Sequence, residues 1–191
     1  MKYEVTPVDA GNVQEYLDFF DNRAFCDNPD WAGCYCVFNH FKGKGEEWMA
    51  RTAAQNRAEA ERMIRESSLK GYMAFADGKA VGWCNVNEKS VYPHYSDVGE
   101  DDGSRICAVT CFVIDPEHRR QGVARALLQQ ACVDYAAAGY DYMESYPAVG
   151  EGTCAAHYHG HPAMYEGEGF ITHLKLEDRL CMRKTLKGDR L

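Results

Sequence analysis

The chain has 191 residues, 46% of them hydrophobic and 26% charged, with a formal net charge of −8. One ordinary domain fits that length, and the apolar share admits a full core. The acidic balance argues against nucleic acid, which needs clustered Lys and Arg to replace counterions, and against an anionic membrane surface.

In chain order, Met1-Lys2-Tyr3-Glu4-Val5-Thr6-Pro7 has no apolar stretch and no small-residue cleavage site, so it does not read as a signal peptide. Residues 8–20 read as a helix, with Val13, Tyr16, Leu17 and Phe20 on one stripe. Residues 28–38 begin with turn residues and end strand-like. Residues 46–68 read as one polar helix with Arg57/Glu61, Glu61/Arg65 and Arg62/Glu66 pairs on its surface. Tyr72–Ala76 and Lys79–Val86 flank Asp77-Gly78, the pair favoured in a two-residue hairpin turn. Residues 87–104 are polar and turn-rich. Arg105–Ile114 is apolar on both faces: Cys107, Val109, Cys111 and Val113 on one, Ile106, Ala108, Phe112 and Ile114 on the other. That pattern predicts a central strand covered on both sides.

Residues 122–138 predict a helix with Ala124, Leu127, Leu128, Ala131 and Tyr135 at core spacing and Gly139 as its C-cap. Tyr140–Tyr146 reads as a short strand, Pro162–Glu166 as a short helix opening with Pro, and Phe170–Leu174 and Leu180–Leu186 as closing strands. No run is apolar and long enough to span a bilayer. Nine cysteines, several in apolar stretches (Cys84, Cys107, Cys111, Cys132, Cys181), predict a reduced cytoplasmic protein. The strand–helix–strand unit implies one parallel pairing and the hairpins antiparallel ones. The expected class is α/β (α+β mixed): one domain over residues 1–191, a mixed sheet with helices on both faces.

Chemistry first suggests itself at residues 115–124. A strand ends at Ile114, Asp115-Pro116-Glu117-His118 turns the chain, and Arg119-Arg120-Gln121-Gly122-Val123-Ala124 leads into a helix. Such geometry aims backbone N–H groups and the positive helix end at one spot, which suits phosphate. Gly122 lets a ligand approach the backbone, Ala124 is the next-smallest side chain, and Arg119 and Arg120 add charge. The plainer alternative is an ordinary strand–turn–helix connection with basic residues on its surface.

This stretch resembles the signature of the GNAT superfamily of acyl-CoA-dependent N-acyltransferases: an apolar strand, a Pro-containing turn, R/Q-x-x-G-x-G/A, then a helix. Arg119, Gly122 and Ala124 fall on its defining positions. Tyr165-Glu166-Gly167-Glu168-Gly169-Phe170 resembles the family's Tyr-x-x-x-Gly-Phe element, and Val81-Gly82-Trp83 its upstream sheet segment. The resemblance covers about residues 70–186. It implies a mostly antiparallel sheet splayed after its central strand and a CoA-binding core over about 105–170. It also implies an acceptor-side segment of variable sequence over about 25–70. Acetyl-CoA is the implied co-substrate, with pantetheine against Phe112, Val113 and Ile114 and pyrophosphate on residues 119–124.

Acyl transfer to an amine needs a neutral amine, a donor for the oxyanion and a proton for the thiolate. Tyr165 matches the family tyrosine that points at the thioester sulfur; its plainer reading is a core aromatic beside Phe170. Glu144 is a candidate to order a water, set against a salt-bridged strand carboxylate. His157, His159 and His161 also titrate near neutrality. The family often has Asn before the tyrosine, where this chain has Tyr158-His159-Gly160-His161-Pro162. Trp31 and Tyr35, with Phe38, are candidates to line an acceptor pocket. Cys34, Cys36 and His40 have poor zinc spacing, so no metal is expected. The expected reaction is acetyl transfer from acetyl-CoA to a primary amine of a small molecule or peptide in a direct ternary complex. The alternative is a non-catalytic acyl-CoA sensor. Neither nucleic acid nor membrane is an expected partner, and a homodimer is left open.

Overall fold

A computed structural model describes residues 3–99, 102–150 and 157–187; Met1, Lys2 and Cys154 are among those outside it. The elements in chain order are β1 (Glu4–Pro7), α1 (Val13–Asn22), α2 (Gly45–Met49), α3 (Ala53–Arg65), β2 (Gly71–Ala76), β3 (Lys79–Glu88), β4 (Ile106–Ile114), α4 (Val123–Ala137), β5 (Tyr142–Ser145), α5 (Pro162–Glu166), β6 (Ile171–Lys175) and β7 (Leu180–Thr185). Together the strands form a seven-stranded sheet in the order β1-β2-β3-β4-β5-β7-β6. Among the described residues only β4 and β5 pair in parallel; the other pairs are antiparallel. The mixed, mostly antiparallel sheet is as expected. Among the described residues no helix is long and apolar enough to cross a membrane, and the cysteines are free thiols.

The β2–β3 turn follows from its sequence. Asp77 and Gly78 both take positive φ (48° and 73°), the conformation that matches the right-handed twist of the flanking strands. Helix α4 packs Val123, Leu127, Leu128, Ala131 and Cys132 onto one face of the sheet, against Ala74, Val81, Cys84, Cys107, Val109 and Phe112. Burying a Leu of this kind stabilises by about 1.5–3 kcal/mol. The opposite face receives Tyr16, Leu17, Phe19 and Phe20 of α1 and Met63 and Ile64 of α3, packed on Met73, Trp83, Cys111 and Val113.

Strand β4 departs from strict alternation. Val109 pairs with Val86 and Cys111 with Asn85, so Thr110 has no opposite number on β3. This β-bulge flips the face of every later side chain. Cys107 and Val109 lie under α4, whereas Cys111 and Val113 lie on the α1/α3 side and Phe112 on the α4 side. The expected single face of Cys107, Val109, Cys111 and Val113 is therefore split in two.

Three other expectations change. The helix read over 46–68 is two helices, because Thr52 starts a new one. Gln55 N–H donates to the Thr52 hydroxyl at 3.2 Å and Thr52 N–H to the Gln55 side chain at 2.8 Å, a capping box. Arg62–Glu66 and Arg65–Glu61 pair as expected, but Arg57 turns to Asp21 of α1 at 2.9 Å. Residues 28–38 do not end in a strand. They form 3-10 turns at Pro29–Cys34 and Phe38–His40, with Tyr35 and Cys36 between them at positive φ (44° and 52°). Finally, β1 joins the sheet edge through Glu4↔Phe75 to Pro7↔Tyr72, a strand the sequence did not signal.

Gly71 tests the packing. A Cβ there would sit 2.1 Å from the Cys84 carbonyl oxygen and 2.3 Å from the Trp83 ring. Backbone cannot give way as a side chain can, so Gly71→Ala should lower unfolding stability by about 1–3 kcal/mol in urea. A midpoint equal to that of the unsubstituted chain would refute this packing.

Candidate functional site

The β4–β5 pairing runs from Ile106↔Tyr142 to Val109↔Ser145 and stops at the bulge, after which the two strands part. The remainder of β4 pairs with β3 alone, which leaves a gap in the strand pairing along its other edge. Asp115 N–H donates to Val81 O on β3 at 3.0 Å. By strand alternation the backbone of Val113 also faces β3, while that of Phe112 and Ile114 faces the gap. Three hydrogen bonds lie on that edge. Thr110 O accepts from Asn39 Nδ2 at 3.3 Å, Phe112 N–H donates to Tyr158 O at 2.6 Å, and Ile114 O accepts from Arg119 Nε at 3.2 Å. Of the three strand-end residues singled out in the sequence, Phe112 and Ile114 present backbone to the gap and Val113 does not.

The chain then enters α4 through a tight loop. Asp115 caps the Pro116–His118 turn by accepting from Glu117 N–H at 3.0 Å. Arg120 (φ 59°) and Gly122 (φ 90°) both lie in the left-handed region, and Gly122 is the N-cap of α4. Ala126 N–H donates to Gly122 O at 3.0 Å, so the amides of Val123, Ala124 and Arg125 precede the first intrahelical bond. No side chain caps this end, and a Cβ on Gly122 would meet nothing within 4 Å. Open space thus lies over a positive helix end, a place suited to an anion. Val123 is buried and anchors the loop in the core; Ala124 is half-buried. Arg120 and Gln121 are exposed, and Gln121 Nε2 donates to Glu117 O at 2.7 Å. Arg119 makes a bidentate pair with Asp27, which carries no local signal in the sequence.

Tyr165 and Glu144 sit differently. Tyr165 is fully buried beside Phe112 and Phe170 and donates its hydroxyl to His159 O at 2.6 Å. Burial raises its pKa well above the ordinary value, so it is a neutral phenol able to donate. Glu144 is also fully buried. It accepts from the Tyr146 hydroxyl at 2.6 Å and pairs with Arg183 at 2.6 Å and Lys89 at 3.0 Å. Burial alone would raise its pKa. The bonds from Tyr146 and Arg183 and the charge of Lys89 outweigh it and hold the carboxyl below its ordinary value. That setting matches a salt-bridged strand carboxylate, with its oxygens committed to three partners.

On the other side of the gap, Trp31 is exposed at 40% and meets the Tyr158 ring edge-on at 5.5 Å. Tyr35 turns away: its hydroxyl donates to Asp21 at 2.6 Å and its ring stacks on Phe20. A cavity of about 390 Å³ lies beyond Trp31, lined by Phe38, His94, Tyr95, Tyr158 and Arg179 among others. Of these, Phe38 and Tyr158 lie in segments that the sequence marks out; Arg179 sits in the β6–β7 turn with no local signal. His159 is buried, and burial followed by the charge of Arg179 pushes its pKa down to about 3. Burial likewise pushes His40 down to about 4; its Nε2 lies 3.3 Å from Asn85 Nδ2, which also donates to Cys36 O. Among the described residues no group of three or more His, Cys, Asp or Glu is arranged to hold a metal.

A sequence model of the acetyltransferase (GNAT) family matches residues 30–160, more than half of the chain. No curated protein matches the sequence. Solved structures do share the fold. A GNAT-family acetyltransferase from Listeria monocytogenes has a TM-score of 0.62 at 11% identity, covering 96% of this chain and 94% of that one. One from Streptococcus pneumoniae has 0.57 at 16% identity, covering 97% and 99%. A PaiA N-acetyltransferase from Thermoplasma acidophilum, solved in complex with coenzyme A, has 0.54 at 14% identity, covering 97% and 99%.

The Glu144 cluster generates a stability prediction. Glu144→Gln leaves Arg183 and Lys89 facing a neutral amide in a buried place, and breaking a buried ion pair from one side costs about 3–5 kcal/mol. Urea unfolding should show a loss of that size. A loss under about 0.5 kcal/mol would mean that the cations find other partners.

Proposed function

The chain belongs to the acetyltransferase (GNAT) family, and on that premise we propose that it is an N-acetyltransferase moving an acetyl group from acetyl-CoA to a primary amine of a small molecule or peptide. The observation that carries this reading is the junction of β4 with α4. A strand that parts from its neighbour leads into an uncapped helix end with open space over Gly122. In this reading the amides around Gly122 and at the start of α4 hold the pyrophosphate. The gap-facing edge of Phe112 and Ile114 pairs with pantetheine, which then runs back along β4 toward the bulge.

The chemistry assigned to the residues is direct transfer in a ternary complex. The amine nitrogen bonds to the thioester carbon, the carbonyl oxygen becomes an oxyanion, and the C–S bond then breaks. In this reading Phe112 N–H donates to that oxyanion. Tyr165 gives its phenol proton to the departing thiolate, and the amine's proton passes to water. Glu144 is better suited to scaffolding than to ordering that water, since its oxygens are paired with Tyr146, Arg183 and Lys89. Trp31 and the aromatic cavity around Phe38 and Tyr158 are the proposed acceptor side; Tyr35 supports it from the core. A second reading, a non-catalytic acyl-CoA sensor, has one observation in its favour: the Tyr165 hydroxyl and Phe112 amide already have partners in the chain.

Cofactor binding is read by thermal unfolding. Acetyl-CoA at 100 times its Kd should stabilise the fold by about 2.7 kcal/mol. Gly122→Asp should abolish that shift by placing a carboxylate in the open space at the helix end. A folded Gly122→Asp variant with the full shift would move the phosphate site elsewhere.

Catalysis is read by thiol release with a panel of amines. Tyr165→Phe keeps the ring between Phe112 and Phe170 and should keep the fold and the acetyl-CoA affinity. Turnover should fall by about 10²-fold or more, in kcat and kcat/KM together. An unchanged kcat with chemistry rate-limiting would remove Tyr165 as the acid. Tight acetyl-CoA binding with no turnover by the unsubstituted chain would favour the sensor.

A further inference from the structure

The two donors that a thioester needs are occupied by one short stretch of the chain itself. Phe112 N–H donates to the Tyr158 carbonyl at 2.6 Å, and the Tyr165 hydroxyl to the His159 carbonyl at 2.6 Å. The carbonyls are consecutive, so a single turn of backbone reaches both. A thioester carbonyl is an acceptor of the same kind as a peptide carbonyl, so it can replace the Tyr158 carbonyl on Phe112 N–H, while the thioester sulfur takes the place of the His159 carbonyl at the Tyr165 hydroxyl.

Side chains on both residues hold the turn in place. The Tyr158 ring packs edge-on against Trp31. His159 is 2% exposed, and its Nε2 lies 3.1 Å from the Tyr95 hydroxyl and 3.3 Å from Arg179 Nη1. Arg179 also donates to that hydroxyl at 3.2 Å, so Tyr95 directs its proton to His159. Tyr95 is itself fixed by stacking on Tyr146 at 4.1 Å. Gly160 N–H closes the turn on His157 O at 2.8 Å, with φ of 86°. A Cβ on Gly160 would meet the Tyr165 ring at 2.9 Å, so glycine is what lets the turn lie against the phenol.

We propose that the Tyr158–His159 segment is an internal occupant of the thioester position, displaced when acyl-CoA binds, with Tyr95 and Arg179 as its latch. This rests on the acyl-CoA reading of β4 and the Gly122 loop. While the segment is in place Tyr165 cannot reach a thiolate and Phe112 cannot reach an oxyanion, so the empty protein is held inactive. Binding then includes an opening step. Its rate should level off as acetyl-CoA concentration rises, and the apparent affinity is reduced by the fraction of molecules that are open.

Hydrogen exchange read by mass spectrometry separates this proposal from the reading beneath it. With saturating acetyl-CoA, exchange should slow over residues 119–126, where the phosphates would bind, and quicken at least twofold over 157–161. Rapid mixing should show a levelling association rate, raised on the order of tenfold in Tyr95→Phe, the factor expected for one lost hydrogen bond. Tyr95→Phe keeps the ring stacked on Tyr146; Arg179→Gln tests the same latch should that variant fail to fold. Slowed exchange over 119–126 with no change over 157–161 would overturn the displacement and leave the acyl-CoA reading standing. Unaltered association rates in the folded latch variants would also overturn it. No change in either segment, with no thermal shift, would remove the acyl-CoA reading and this proposal together.

Discussion

One extra residue in β4 organises this protein. At Thr110 the strand carries a residue that β3 does not match, and the bend it introduces ends the pairing with β5. A strand in the middle of a sheet is thereby left with an unpaired edge in a largely buried place. Backbone groups there must find partners or cost the protein stability. Those partners are Asn39 on Thr110, Tyr158 on Phe112 and Arg119 on Ile114. Each comes from a different part of the chain, so the bulge gathers the segment after α1, the loop after β5 and the Gly122 loop around a single gap.

The same bulge decides what lies beneath the helices. By flipping alternation it sends Phe112 to the α4 side, where its ring meets Tyr165, and Cys111 and Val113 to the α1/α3 side. Helix α4 is then held close. A Cβ on Gly82 would lie 2.6 Å from Val123, so glycine in β3 is what admits the first turn of α4. The loop at Gly122 is positioned from below by this packing, and its space toward solvent stays open. A rigid base under an open helix end is what an anion site requires, because the amides then need no rearrangement to meet the charge.

Charges inside the fold are handled by pairing. Glu144 would be a heavy burden alone in the sheet; Arg183 comes from the neighbouring strand β7, Lys89 from just past the end of β3, and Tyr146 from just past the end of Glu144's own strand. The geometry ties β5 to β7 and to the end of β3. Arg119 and Asp27 make a second, exposed tie, from the Gly122 loop to the segment after α1. The site's two halves are thus joined physically, by Arg119–Asp27 at one end and by the Tyr158–Trp31 contact at the other.

Local rules made much of this legible in the sequence. The Asp77-Gly78 turn, the α4 stripe with Gly139 behind it, the Pro-led α5 and the strand-to-helix loop around Gly122 depend on neighbours within a few residues, and each has a distinctive residue pattern. The Thr52-x-x-Gln55 capping box was equally local and was obscured by the periodicity around it. The bulge was not legible, because Thr110 is out of step only relative to β3. Nor was β1, whose Glu4–Pro7 became a strand by lying against β2. Arg57 had a partner at the expected helical spacing and chose Asp21 instead. Glu144 read either as a group ordering a water or as a salt-bridged strand carboxylate, and only the fold supplied its partner Arg183, 39 residues away. The sequence by itself determined which segments could be helix, strand or anion-binding turn, since those choices follow from dihedral preference and periodicity. Only the tertiary structure decided which polar groups are free to act, because a donor is spent or available according to what chain closure brings within 3 Å of it, as Tyr158 and His159 are brought to Phe112 and Tyr165.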